Sequence, residues 1–137
     1  MALLEIQNLA TAFPTEAGMA RAVDDVTLSV DKGKVLGIVG ESGCGKSITS
    51  LSILRLIPPP GKIVGGQIRL DGKNLLEFTE AQMRGVRGNR IALIPQDPMT
   101  SLNPVYTVGA QIMEAVELHQ KVSKAEARKK AIDVLDR

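Results

Sequence analysis

The chain has 137 residues, a formal net charge of +2 and an apolar share of 44%, which suits one domain with a real core. Its aromatics are Phe13, Phe78 and Tyr106 alone, which argues against a nucleic-acid binder that stacks bases on rings. The single cysteine, Cys44, excludes an internal disulfide and fits a reducing, cytosolic compartment.

The first residues, "MALLEIQNLA", carry Glu5 and no basic segment, so they do not read as a signal peptide. No apolar run approaches the ~20 residues of a membrane span, and any membrane role must pass through a partner. "LLEIQNL" (3–9) and "VTLSV" (26–30) read as half-buried strands, the second alternating with Val26, Leu28 and Val30 on one face. "PTEAGM" (14–19) between them suits an exposed loop, and "DKG" (31–33) a turn. "KVLGIVG" (34–40) is nearly all apolar, the pattern of a strand buried on both faces. A helix is expected from Lys46 to about Ile57, with Ile48, Leu51, Ile53 and Leu54 on its buried stripe. Pro58 to Pro60 stop it, because proline lacks the amide donor a helix interior needs.

Further along, "GGQIRLDGKNL" predicts a strand with Ile68 and Leu70 inward, then a turn at Asp71 and Gly72. Thr79 and Gln82 are spaced as a capping box that opens a short helix. "RIALIPQD" (90–97) reads as a second short buried strand ending at Pro95. Thr107 is the expected cap of an amphipathic helix with Val108, Ile112, Ala115 and Val116 on one side. Ser123 and Glu126 form another capping box, before a helix whose apolar side is Ala131, Val134 and Leu135. That helical pattern runs to Arg137 without a glycine cap or a proline stop, as expected of a truncated end.

The segment from Gly40 to Ser47, "GESGCGKS", matches the phosphate-loop pattern G-x-x-x-x-G-K-[ST] in full. A chance match in this length is on the order of one in a hundred or less. Its place between an expected buried strand and a helix supports it further. Glycines let successive amides converge on an anion, and the helix N-terminus adds roughly half a positive charge. Gly40, Glu41, Ser42, Gly43, Cys44, Gly45, Lys46, Ser47 and Ile48 are therefore the expected residues around a nucleotide's phosphates. Lys46 reaches the β- and γ-phosphates, and Ser47 offers its hydroxyl to Mg²⁺. Cys44 stands at a free position of the pattern, as a small residue that fits.

Together, "LLEIQNLATAF", "AVDDVTLSVDKGKVLGIVGESGCGKSITSLSIL" and "IALIPQDPMTSLNPVYTVGAQI" resemble the ATP-binding subunits of ABC transporters. Within these they look most like the oligopeptide, dipeptide and nickel import group. The resemblance covers essentially the whole chain, and "QDPMTSLNP" is its most group-specific piece. It implies an α/β fold: a truncated P-loop NTPase core of the ABC ATPase kind, an antiparallel β part, and the start of a helical subdomain. Residues 1–97 would be the nucleotide-binding core and 98–137 the beginning of the helical part. By the same resemblance Phe13 stacks on adenine, and Gln96 contacts Mg²⁺ and the attacking water. Asp97 to Tyr106 would meet a transmembrane permease subunit at the cytoplasmic face of the inner membrane, and a second ATP-binding subunit would complete the site.

The departures limit what is expected. No LSGGQ-like signature and no apolar strand ending in an Asp-Glu pair is present. His119, the only histidine, reads as an exposed polar residue rather than the family's switch histidine. The chain resembles the N-terminal part of such a subunit. It is expected to bind nucleotide without efficient hydrolysis, because hydrolysis needs a positioned nucleophile and a polarising group. The alternatives are a soluble ABC ATPase outside transport, another P-loop phosphotransferase such as a small-molecule kinase, or an interaction unit without ligand affinity.

Overall fold

The computed structural model describes residues 2–97 and 101–137. The chain divides into two compact units, Met1–Met83 and Arg84–Arg137. The first is built on a four-stranded antiparallel sheet in the order β2-β1-β3-β4. Its strands are β1 (Ala2–Thr15), β2 (Gly18–Asp31), β3 (Lys62–Leu70) and β4 (Lys73–Asn74). The helix α1 (Lys46–Ile53) and a 3₁₀ turn at Leu75–Glu77 complete the unit. The short helix α2 (Glu80–Val86) carries the division. The second unit holds α3 (Val108–Gln120) and α4 (Lys124–Leu135).

β1 is the organising strand because it pairs on both sides. Ile6 stands opposite Leu28 of β2 and Ile68 of β3. Ile6, Leu9 and Ile68 are fully buried, with Ala12, Val23 and Leu75 beside them in the core. A register shift follows Ile6 in the pairing with β2. There Asn8 and Asp25 both adopt positive φ, which their short polar side chains tolerate. Asn8 Nδ2 donates to Asp25 Oδ1 at 2.6 Å, and the Asn8 amide donates to Thr27 Oγ1 at 2.9 Å. Side-chain bonds thus replace ladder bonds at the bulge.

The expected loop at 14–19 is mostly strand. The two long strands are joined by a tight turn at Glu16 and Ala17, with Thr15 Oγ1 donating to the Gly18 carbonyl at 2.7 Å. Pro14 is tolerated because the pairing of β1 with β3 ends at Ala12, so its missing amide costs no ladder bond on that side. The turns at 31–33 and at Asp71–Gly72 form as expected. The Thr79–Gln82 box closes in both directions: the Thr79 amide donates to Gln82 Oε1 at 2.7 Å, and the Gln82 amide to Thr79 Oγ1 at 3.2 Å.

Two expected strands are absent. Residues 34–40 form no ladder, and Val35 and Val39 are 98% and 97% exposed. Residues 90–97 make a single parallel bridge, Arg87 with Ile91, and Ile94 is 93% exposed. A strand is defined by its neighbours, and no described residue pairs with 35–39. The helices differ from expectation in a related way. α1 ends at Ile53, four residues early, and Arg55 follows with a φ of 53°. Its buried residues are Thr49 and Ser52 rather than Ile48 and Leu51. In the last helix Ala127 and Ala131 are buried, while Val134 and Leu135 stay exposed. None of the residues of α3 is buried.

Candidate functional site

The phosphate-loop residues lie together in the first unit, between the unpaired segment 34–40 and α1. The loop turns tightly, with the Cys44 amide donating to the Glu41 carbonyl at 3.4 Å. Gly43 and Gly45 both adopt positive φ, 82° and 93°, a region in which L side chains are strained. At Gly45 the constraint is double, because a Cβ would come closer than 3.0 Å to the Ala22 carbonyl oxygen of β2. The loop and the hairpin are therefore in backbone contact. At Gly40 a Cβ would stand 2.6 Å from Cys44 Sγ, so the first glycine makes room for the cysteine.

Gly45 is also the N-cap of α1. Its carbonyl accepts from the Thr49 amide at 2.8 Å and from Thr49 Oγ1 at 2.9 Å. Lys46, half-buried, folds back into the loop. Its Nζ donates to the carbonyls of Gly40 (2.7 Å) and Glu41 (2.6 Å) and to Cys44 Sγ (3.3 Å). Ser47 is exposed on the first turn. The arrangement brings one ammonium, an exposed hydroxyl and a helix N-terminus to one place, a donor set suited to a polyphosphate.

Phe13, expected against adenine, is half-buried on β1. A Cβ at Gly61 would stand 2.7 Å from its Cζ and 2.7 Å from Ile57 Cγ2. The ring edge thus packs where the chain leaves α1 for β3. Gln96 lies in the second unit and is exposed.

Residues 103–106 are held by a residue that sequence reading missed. Gln111 of α3 accepts from the Asn103 amide at 2.9 Å, and its Nε2 donates to the carbonyls of Asn103 (2.9 Å) and Tyr106 (3.0 Å). One side chain ties the loop to the helix. Nothing but its place four residues beyond Thr107 could have marked it. A cavity of about 660 Å³ lies beside this loop, lined by Leu102, Ile112, Val116 and His119 among others. His119, expected to be exposed, is half-buried there, its Nε2 3.1 Å from where a Cβ of Gly88 would stand. Pro98, Met99 and Thr100, part of the segment expected to meet a permease, lie outside the described residues. Replacing Gln111 with alanine is expected to speed hydrogen exchange of the Asn103 amide by roughly fivefold, the worth of about 1 kcal/mol. Exchange measured by NMR checks it, and an unchanged rate would show the loop to be held otherwise.

A family model described as ABC transporter matches residues 23–137. The chain belongs to the ABC transporter family. It is similar to the probable peptide ABC transporter ATP-binding protein y4tR of Sinorhizobium fredii, with 58% identity over 97% of the chain and 40% of the relative. It is similar to the oligopeptide transport ATP-binding protein OppD of Bacillus subtilis, with 49% identity over 98% of the chain and 38% of the relative. The dipeptide transport ATP-binding protein DppD of Escherichia coli gives 48% identity over 99% of the chain and 42% of the relative. The ABC chain thus spans about 40% of the length of the curated relatives it matches. Among solved structures, the ATP-binding cassette MJ0796 bound to ADP and Pi matches with a TM-score of 0.84 at 21% identity, over 97% of this chain and 56% of that one. The fold is that of part of an ABC ATPase cassette, as expected. No helix of the described residues is long and apolar enough to cross a membrane.

Proposed function

We propose that this ABC chain is the ATP-binding portion of a peptide-type importer ATPase, holding the phosphates of ATP at Gly40–Ser47 together with Mg²⁺. The relatives above, named for peptide, oligopeptide and dipeptide transport, support the transport reading. The observation that carries the binding reading is Lys46. Its ammonium sits inside the glycine loop, and its hydrogen-bond partners are two carbonyl oxygens and a thiol. A phosphate oxygen is a stronger partner for that charge than either.

Lys46 would hold the terminal phosphates and the loop amides would cradle them. Ser47 would take one coordination position on the cation. Among the described residues no three carboxylate, imidazole or thiol groups gather as a ready-made metal site, and phosphate and water oxygens would supply ligands beside the Ser47 hydroxyl. When bound, Mg²⁺ neutralises charge on the phosphates. Phe13 would face adenine, and Gln96 would serve the cation and the attacking water. Within this reading residues 1–97 form the nucleotide-binding part, and 98–137 open the helical part. Asp97 to Tyr106 would face a permease subunit at the cytoplasmic face of the inner membrane. A second ATP-binding subunit would bring its signature segment to the bound nucleotide. Residues 1–137 hold neither a signature segment nor an Asp-Glu pair, and on their own they would bind without appreciable turnover.

Isothermal titration with Mg-ATP, Mg-ADP and AMP tests this. Affinity is expected to fall stepwise as phosphates are removed. AMP binding as tightly as Mg-ATP would remove the glycine loop from the reading, and robust Lys46-dependent phosphate release would defeat the expectation of no turnover.

A further inference from the structure

The phosphate-loop helix is only two turns long, and it meets the sheet with its polar side. Thr11 of β1 and Ser52 of α1 are both fully buried, and their hydroxyl oxygens lie 2.8 Å apart. Ser52 Oγ also donates to the Ile48 carbonyl at 2.7 Å. A hydroxyl has one proton to give. With that of Ser52 spent on Ile48, Thr11 must be the donor of the shared bond. A directional chain results, from Thr11 to Ser52 to the helix backbone. It lies among buried apolar neighbours on β1: Leu9, Ala10 and Ala12.

Apolar contacts tolerate sliding and repacking, whereas a buried hydrogen bond between two fixed elements specifies one arrangement. The geometry gives α1 a fixed point at each end. Gly45 is pressed against the Ala22 carbonyl at the first turn, and Ser52 is bonded to Thr11 at the last. Thr11 itself pairs with Val23, the neighbour of Ala22. Both points thus refer to the same stretch of hairpin, two residues from Phe13. Beyond the helix, Arg55 Nη1 donates to the carbonyls of Leu75 and Phe78, which fixes where the chain leaves.

We propose that Thr11 and Ser52 are positioning residues for the phosphate loop: their hydrogen bond sets where α1 lies along β1, and so where Lys46 and Ser47 stand. The consequence for nucleotide rests on the binding reading above; the positioning of the loop does not.

The Thr11→Val/Ser52→Ala double variant removes the bond without orphaning either partner, a change that leaves stability nearly unaltered. Its melting temperature is expected to stay within a few degrees of the parent. Its affinity for Mg-ATP is expected to fall about tenfold, or about 1.4 kcal/mol. Cys44, the sole cysteine, sits in the loop and reports on it without nucleotide. Its labelling rate with a maleimide is expected to change at least about threefold as the loop is released. Thr11→Ser, which keeps the hydroxyl, is expected to restore both readings. A double variant with parental Cys44 labelling would overturn the proposal and leave the pair a packing feature only. A changed labelling rate with no Mg-ATP binding by either protein would uphold the positioning and sink the nucleotide reading instead. Should the double variant not fold, Ser52→Ala at low temperature takes its place with the same outcomes.

Discussion

Replacing Lys46 with alanine is expected to weaken Mg-ATP binding about 100-fold, close to 2.7 kcal/mol. The figure follows from the donor set. Lys46 carries the positive side-chain charge of the loop, and a hydrogen bond to a charged group is worth ~1.5–3 kcal/mol. Stability should hardly move, because the bonds lost in the free protein are three exposed links, to the Gly40 and Glu41 carbonyls and to Cys44 Sγ. Lys46→Arg separates charge from shape. Arginine keeps the charge but presents a planar fork in place of a compact ammonium, so it is expected to recover only part of the affinity. Titration calorimetry on the three proteins decides it. Parental affinity in Lys46→Ala would mean that nucleotide, if bound, lies elsewhere.

Gly45→Ala is expected to be the most damaging single methyl in the loop. Two costs combine. The backbone stands at a φ of 93°, which costs an L residue roughly 1–2 kcal/mol. The new Cβ also meets the Ala22 carbonyl closer than 3.0 Å. That oxygen belongs to a paired strand, so relief must come from moving backbone, and the total is expected to exceed ~3 kcal/mol. Such a loss is a large part of the ~5–15 kcal/mol that holds a domain. Gly43→Ala is the internal control. Its φ is 82°, yet nothing lies within 4 Å of its Cβ, so only the backbone strain of ~1–2 kcal/mol applies. Urea denaturation of both variants isolates the contact with β2. Equal losses would show that the close approach carries no energy.

The loop was legible because its chemistry admits few letters. Phosphate wrapping demands glycine at fixed spacing, with lysine and serine following, and those letters stand at 40, 45, 46 and 47. Local rules were legible for the same reason. Thr79 with Gln82, Thr107 and Ser123 each cap the helix their spacing predicted. Each such bond forms within a few residues and needs no distant partner.

What depends on distant partners was not legible. The apolar run Val35–Val39 reads as buried whatever stands beside it, but burial belongs to the neighbours, and here no described residue pairs with it and only Leu36 and Ile38 are about half covered. The face of α1 is the sharper case. Of the obvious stripe Ile48, Leu51 and Leu54, Leu54 is buried just past the helix end as expected, yet within α1 the buried residues are Thr49 and Ser52. A hydrophobic pattern could not show this, because a buried hydroxyl is stable only opposite its partner. That partner, Thr11, lies 41 residues away. The same holds for Gln111, whose three bonds are made to a loop with no regular pattern to mark it.

The open segment at 34–40 bears on how copies of the chain meet. Val35, Leu36, Ile38 and Val39 form an uncharged, mostly β-branched row without a ladder, the kind of sequence that templates strand addition between chains. Concentration therefore acts on this chain at the residues that lead into the glycine loop, where one copy can supply the neighbouring strand that another lacks.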